Sequence, residues 1–515
     1  MKSAGHRLRR IGPCGAALTA VLIALAGCGG GGGGKKPHAG TTTPRTGGPA
    51  AGLDRSVPMA LKDGPAHLEL TTLSRTPGNT VTAQMKLVND GKAPVDVSDA
   101  FGDQSNDPDS GNIFFASGLG LLDGRGDRLY LPLATADGTC MCSDLTGTKV
   151  AAGASLGVYA VFPAPPADVR AATVTLPTGV AFQDVPLGTG AVRPLPGQTV
   201  DPASAQQGKP RVFTVSSAAE GDEQSITEDA DNRWVMLSSD VLFALNKADL
   251  TPRATALLQG LAKQVDASRG ATVSVDGYTD TSGNDAINQP LSERRAQTVA
   301  GRLKQLVTRQ GVTFAAAGHG SADPVAPNDG EQGRRKNRRV TVKFSRPPQP
   351  AAPAASGAPF RYTPGAPPVL GSATFAAPAA RGLKVEVNAL HRDAAGVTTL
   401  VWTIRNTGSS TIDVLSRLDR SSSVHGSFPL DRGAAAGGVL LLDPAAKMHY
   451  YPMETSNGQC VCSSLRSQSG RQELGPGESF TLWGAYKLPP ATSRVSVLVP
   501  WTKINDATVA GLTVR

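Results

Sequence analysis

Apolar and polar positions change their period along this chain, and the changes divide it into segments. Around residues 67–97 and 383–414 they alternate, with Val81, Ala83, Met85 and Leu87 on one side of a run, and Val401 and Thr403 on another before a slip at Ile404. The turn signals Asn89-Asp90-Gly91 and Asn406-Thr407-Gly408 separate such runs, and no helix-length apolar stripe intervenes. That pattern predicts antiparallel strands. In the middle of the chain the period lengthens. Val235, Leu237, Val241 and Phe243 predict a strand, after which Leu257, Leu258, Leu261 and Val265 recur at helical spacing. Thr251 is placed to cap that helix, and Pro252 suits its first position. Residues 271–279 alternate again, and Ala296, Val299, Leu303 and Leu306 share one face of a second helix over 291–307. Two short strands, VTFAAAG and RVTVKFS, complete a βαβαββ order, which implies a mixed sheet with helices packed against it.

The two alternating segments repeat each other at four ordered points. HLELTTLSR (67–75) parallels LKVEVNALHR (383–392), and VTAQMKLVNDGKAPVDV (81–97) parallels TTLVWTIRNTGSSTIDV (398–414). DGTCMCSDL (137–145) parallels NGQCVCSSL (457–465), and LPTGVAFQDV (176–185) parallels VPWTKINDATV (499–509). A duplicated domain is implied. Some 120 residues with a turn signal every ten or so suit an immunoglobulin-like sandwich. The expected organisation is therefore multidomain: a central α+β module at 226–346 flanked by all-β repeats at 61–186 and 379–515. The 59 Gly and 39 Pro exceed what regular elements hold, so linkers are expected at 28–60, 187–225 and 347–378.

The N-terminus predicts export. Lys2, Arg7, Arg9 and Arg10 precede the apolar run AALTAVLIALAG, which is short for a membrane span. The run ends in Leu25-Ala26-Gly27-Cys28, which resembles the lipobox of bacterial lipoproteins; a plain secretory signal is the alternative. The resemblance implies cleavage of residues 1–27 and acylation of Cys28, giving a membrane anchor. The Gly-rich segment behind Cys28 would then be a tether with an extended reach on the order of 100 Å. Losing the leader removes four basic residues and no acid, which lowers the formal charge from +9 to +5. Export and so mild an excess argue against nucleic acid as a partner.

The central module carries VLFALNKADLTP, then VDGYTDTSGNDAINQPLSERRAQTV, then GHGSADPVAPN and RRKNRRVTVKF. In this order these strings, covering about 234–345, resemble the OmpA C-terminal-like, peptidoglycan-associated domain. T-D-x-x-G followed by N-x-x-L-S-x-x-R-A is its most specific part. An acid just past a strand end and a base on the next helix suit a zwitterion, the acid receiving an ammonium and the guanidinium clamping a carboxylate. The resemblance implies that this ligand is the diaminopimelate of the peptidoglycan stem peptide, with Asp280 meeting its amine and Arg295 its carboxylate. Thr279, Ser282 and Gly283 are expected to shape the loop, Asn288 to hold it, and Arg338 to stand near the pocket. One departure is notable. Where many relatives carry an acid directly after the phenylalanine of the first motif, Ala244 follows Phe243 here. Arg334, Arg335 and Lys336 read as a hydrated basic loop.

Outside the cytosol Cys140 and Cys142, and Cys460 and Cys462, are expected to form one C-x-C disulfide in each repeat, each closing a tight ring. A soft-metal clip or a redox role for these pairs is the alternative reading. No metal, cofactor or catalysis is expected, since the seven His are scattered and no H-E-x-x-H or G-x-S-x-G context occurs. The chain reads as an extracytoplasmic, lipid-anchored protein facing peptidoglycan. Its repeats are expected to act as spacers or to recruit an unidentified envelope protein.

Overall fold

The computed structural model describes residues 55–515 apart from 104–111, 126, 199, 349–359, 361–366, 415–417, 419–435, 465–472 and 502–505. The expected leader, Cys28 and the tether as far as residue 54 lie outside the described residues, as does most of the 347–378 spacer.

The first repeat is a pair of antiparallel sheets closed over one core. One sheet has the order Arg55–Met59, Ala66–Thr76, Thr80–Asn89, Ser155–Pro163. The other runs Phe182–Pro186, Ala171–Thr175, Gly120–Asp123, Arg128–Tyr130. Leu68, Leu70, Val81 and Met85 from the first meet Leu121, Val174 and Val185 from the second, all of them buried. The second repeat uses the same order: Gly371–Thr374, Leu383–Arg392, Val397–Asn406, Ser479–Lys487 against Ala507–Thr513, Arg494–Val499, Leu440–Asp443, Met448–Tyr450. Even the irregularities recur. A register shift at Leu70/Thr72 has its counterpart at Val387/Ala389, and the bridge Cys142 to Ala160 has its counterpart in Cys462 to Gly484. In each repeat the two cysteines of the C-x-C are disulfide-bonded.

Two boundaries move. Arg55–Met59 is a strand paired with Ala66–Leu70, so residues 55–60 belong to the first repeat rather than to the tether. Gly371–Thr374 pairs with Lys384–Val387, so the second repeat begins before residue 379.

The larger correction concerns 187–225, expected as a loose linker. Its first part lies on the outer face of the first repeat, where the Gln84 side chain donates to Arg193 O, and Leu195, Val200 and Ala205 pack on Met141, Tyr159 and Val161. Its second part is strand β1, Val212–Glu220. Residues 212–214 pair with Arg128–Tyr130 of the first repeat. Val215 and Ser216 pair with Thr455 and Glu454 of the second. Residues 217–220 pair with β2, Gln224–Glu228, of the central module, and Ala219 and Glu220 also with Tyr450 and His449. One strand thus satisfies its backbone groups on three modules.

From β2 the central sheet continues through β3 (Asn232–Ser238), β6 (Arg339–Ser345), β4 (Thr272–Tyr278) and β5 (Thr313–Gly318), with β4 and β5 parallel and the other pairs antiparallel. The module therefore starts before residue 226. The chain leaves β3 into a single helical turn, α1 (Ser239–Leu242), so Val241 is helical and Phe243 caps the turn; neither extends the strand. Helix α2 (Pro252–Ala267) starts at the Thr251 cap, whose hydroxyl oxygen accepts from the Ala254 amide at 3.1 Å. Helix α3 (Asp285–Leu306) starts at Asn284 and packs Ala296, Val299 and Leu303 on Val235, Val273 and Val340. A further short helix, α4 (Glu331–Asn337), replaces the basic loop expected there. Two of its three basic residues are held: Arg334 pairs with Glu331 at i, i+3, and Lys336 with Glu220 at 2.8 Å.

Helix α3 sits unusually close to the sheet because Gly277 of β4 and Gly318 of β5 are in register beneath it. A Cβ on Gly277 would stand 2.2 Å from Ser292 O, and one on Gly318 would stand 2.3 Å from Glu293 N. These two glycines set the height from which Arg295, one turn further on, reaches the strand ends.

The modules also share a buried ionic junction. Asp127 of the first repeat bonds Arg346 at the end of β6 and, at 3.1 Å, Lys487 of the second repeat. Arg346 also meets Glu228 of β2 at 3.1 Å, and every one of these side chains is less than a tenth exposed.

Candidate ligand-binding site

The residues singled out from the sequence converge at one end of the central sheet. Asp280 lies two residues past β4, and the chain turns there because its Oδ1 accepts from the Ser282 amide at 2.8 Å. Asn288, buried in the first turns of α3, donates to Ser282 O at 3.2 Å and Asp280 O at 3.4 Å. Gly283 takes φ +92°, a conformation that other residues adopt only with strain. Ser282 and Gly283 are exposed, whereas Thr279 and Asp280 are buried. The Thr279 amide donates to Gly320 O at 2.7 Å, while its hydroxyl has no partner among the described residues.

Arg295 is 6% exposed. Its guanidinium carbon stands 5.2 Å from the centroid of the Phe243 ring, and its Nε donates to Lys247 O at 3.1 Å. That leaves both terminal nitrogens without an acceptor among the described residues. Burial pushes this guanidinium down from its ordinary value, against the fields of Asp240 and Asp280. Asp280 and Arg295 are thus electrostatic neighbours, but they do not pair.

Asp280 is bound instead by Arg338, whose Nη1 donates to Oδ2 at 2.7 Å. Arg338 grips Asp240 with two bonds, at 2.9 and 2.7 Å, and reaches Glu331 at 2.8 Å. Burial pushes the Asp280 carboxyl up, yet the bonds from Arg338 and from Ser282 outweigh it and hold the group below the usual carboxylate range. Asp280 therefore stays ionised at neutral pH. A carboxylate offers about four lone-pair sites, so two bonds do not saturate it.

Two members of this cluster escaped the sequence reading. Asp240 was hidden because Val241 and Phe243 read as a continuing strand; the turn at Ser239–Leu242 swings it toward Arg338 instead. Glu331 is legible only once α4 is known, as the residue three before Arg334 and seven before Arg338. The acid absent at Ala244 has no direct replacement. Asp240, three residues before Phe243, brings an acid to the site, but it is spent on Arg338.

The loop opposite is latched by Asn337, which is 1% exposed. Its side chain accepts from the Val325 and Ala326 amides and donates to Ala326 O and Asn328 Oδ1. Asn328 in turn accepts from the Thr281 amide at 3.3 Å. The sheet end thus brings together a guanidinium with unspent terminal nitrogens, an ionised carboxylate and the unshared Thr279 hydroxyl.

The profile of the OmpA family matches residues 242–338, the span from the end of α1 to the residue after α4. The peptidoglycan-binding protein ArfA of Mycobacterium tuberculosis is 39% identical over 104 residues, which are 20% of this chain and 31% of that protein. This chain thus spans about a third of the length of that relative. The putative lipoprotein YfiB of Escherichia coli is 36% identical over 144 residues, 27% of this chain and 86% of that protein. Among solved structures, the cell wall anchor of the T6SS from Pseudomonas aeruginosa is 28% identical, covering 24% of this chain and 88% of its own, with a TM-score of 0.22. With the family profile lying on the elements that carry Asp280, Arg295 and Arg338, and 86% of YfiB covered by this chain at 36% identity, the protein belongs to the OmpA family.

Proposed function

We propose that this protein binds peptidoglycan non-covalently through the diaminopimelate of the stem peptide, and that it is a binding protein, not an enzyme. Arg295 carries the reading. A guanidinium fixed over Phe243, with both terminal nitrogens unspent, is ready to clamp a carboxylate with two parallel bonds. The amine on the same ligand carbon then meets Asp280, whose charge is maintained by Arg338, and the exposed Ser282 hydroxyl and Gly283 amide close on the ligand carboxylate. Thr279 supplies a further hydroxyl. The name of ArfA supports peptidoglycan as the polymer bound, and that of YfiB supports a lipoprotein. In this reading Cys28 carries the lipid, the two outer domains are immunoglobulin-like spacers or recruitment surfaces, and the membrane is tethered to the wall.

The test is sedimentation of the exported full chain with purified peptidoglycan. Asp280→Asn and Arg295→Ala should each weaken retention by roughly tenfold or more, since a hydrogen bond to a charged group is worth about 1.5–3 kcal/mol. Retention equal to wild type in both variants would end the assignment.

A further inference from the structure

Helix α4 has two faces, and the site described above uses only one. Glu331, Arg334 and Arg338, spaced i, i+3, i+7, face the Asp280 cluster. Gln332, Arg335 and Lys336, with Arg339 just past the helix end, face a second cleft of about 370 Å³. That size falls in the range of small-molecule sites, which favour junctions between domains.

The cleft exists only because the second repeat docks. Its far wall is Leu440, His449, Tyr451 and Leu498 of that repeat; its floor is the turn from β1 to β2 and the end of β3. Pairing of Ala219 and Glu220 with Tyr450 and His449 fixes the two walls, and Glu220 ties them further by accepting from the Tyr451 hydroxyl at 3.0 Å while meeting Lys336.

The lining chemistry narrows the occupant. Most charges are already matched: Lys336 by Glu220, Glu223 by Arg253, and Arg339 flat on the Tyr278 ring at 3.8 Å. Arg335, Gln332 and His449 are exposed and offer hydrogen-bonding groups, while Met236, Leu440 and Leu498 offer apolar surface. Such a lining suits an uncharged ligand with a polar rim and apolar faces, as a pyranose ring has. Distance selects further. In peptidoglycan the amino sugar is joined to diaminopimelate through a lactyl group and two residues, an extended span of about 10 Å. A helix with its side chains is about 10–12 Å across.

We propose that this cleft is a second subsite for the same polymer, holding an N-acetylated sugar ring of the glycan strand while the stem peptide passes α4 to the Asp280–Arg295 pocket. The proposal rests on the wall-binding reading and gives the second repeat a task beyond spacing: it supplies half of a ligand site.

The test titrates the exported full chain with two probes, a disaccharide-tripeptide carrying diaminopimelate and the same tripeptide without sugar. Wild type should bind the sugar-bearing probe about tenfold more tightly, the gain expected when a second weak contact is linked to the first. Gln332→Trp, which fills the cleft mouth, should bring that ratio close to one and leave tripeptide affinity unchanged. Arg335→Ala combined with His449→Ala should cut the ratio severalfold, and it decides the matter if Gln332→Trp also loses the tripeptide. A wild-type ratio of one, or a ratio that survives both variants, overturns the cleft subsite and leaves wall binding standing. Failure of wild type to bind either probe overturns both.

Discussion

The molecule contains two clusters built from the same chemistry, carboxylates against guanidinium and ammonium groups, with opposite fates. At the module junction Asp127, Arg346, Glu228 and Lys487 are closed off from water, and each charge meets a partner. At the sheet end Asp280, Asp240 and Glu331 crowd around Arg338, while Arg295 beside them keeps its outer edge unspent. The first arrangement has nothing left to offer a ligand. The second has a surplus, and unspent hydrogen-bonding capacity is what binding requires. Their carboxyls respond to burial differently as well. Desolvation wins at Asp127 and pushes it up in spite of Lys487 and Arg346, whereas at Asp280 the hydrogen bonds win and hold it down.

The contrast can be broken most severely at the junction. Asp127→Ala leaves Arg346 and Lys487 buried without their shared acid, and is expected to cost about 3–5 kcal/mol in denaturant unfolding. By comparison Asp280→Asn, which keeps an acceptor for the Ser282 amide and leaves Arg338 paired with Asp240 and Glu331, should cost clearly less stability while losing ligand. If the two substitutions destabilise equally, the division into a structural and a functional cluster is wrong.

A smaller effect is expected beneath α3. Gly277→Ala pushes a methyl group into Ser292 O and should cost about 1–3 kcal/mol. It should also weaken peptidoglycan retention, because lifting α3 moves Arg295 off Phe243. Retention at the wild-type level in a folded variant would show that the helix height does not position the guanidinium.

A further effect is a slope with pH. Asp393, beside Lys487, is pushed up to about 6 by burial, although the Val397 and Ala395 amides bond its carboxylate. Between about pH 4 and 6 the folded chain holds a proton that the unfolded chain has released, so this group's contribution to stability falls as pH rises through that window. The change should be about 3 kcal/mol, and Asp393→Asn should flatten it. Asp280 acts in the opposite direction: its contribution is present at neutral pH and is lost only as pH falls below the ordinary carboxylate range. An unchanged slope in Asp393→Asn would remove that residue from the junction's acid response.

Much of the candidate site was legible because its signals are local. Thr251-Pro252 announces a helix start, and Asp280 and Arg295 stand at fixed distances from a strand end and a helix start. The motif therefore implied a shared site. What was illegible depends on partners distant in sequence. Asp240 looked like part of a strand until α1 turned it. The basic run at 334–336 looked like a hydrated loop because its matching acids are Glu331, visible only in a helix, and Glu220, more than a hundred residues away.

By itself the sequence determined the strand and helix periods, the duplication of the outer domains, and the acid and the base that meet at one end of the central sheet, because backbone geometry ties each of these to spacing along the chain. Only the tertiary structure decided that a segment rich in Gly, Pro and Ala ends in the strand that joins all three modules. Val212–Glu220 buries little beyond Val215 and Ala219, so no apolar stripe announces it. What holds it is backbone pairing on three modules at once, and hydrogen bonding by the main chain leaves no mark on side-chain pattern.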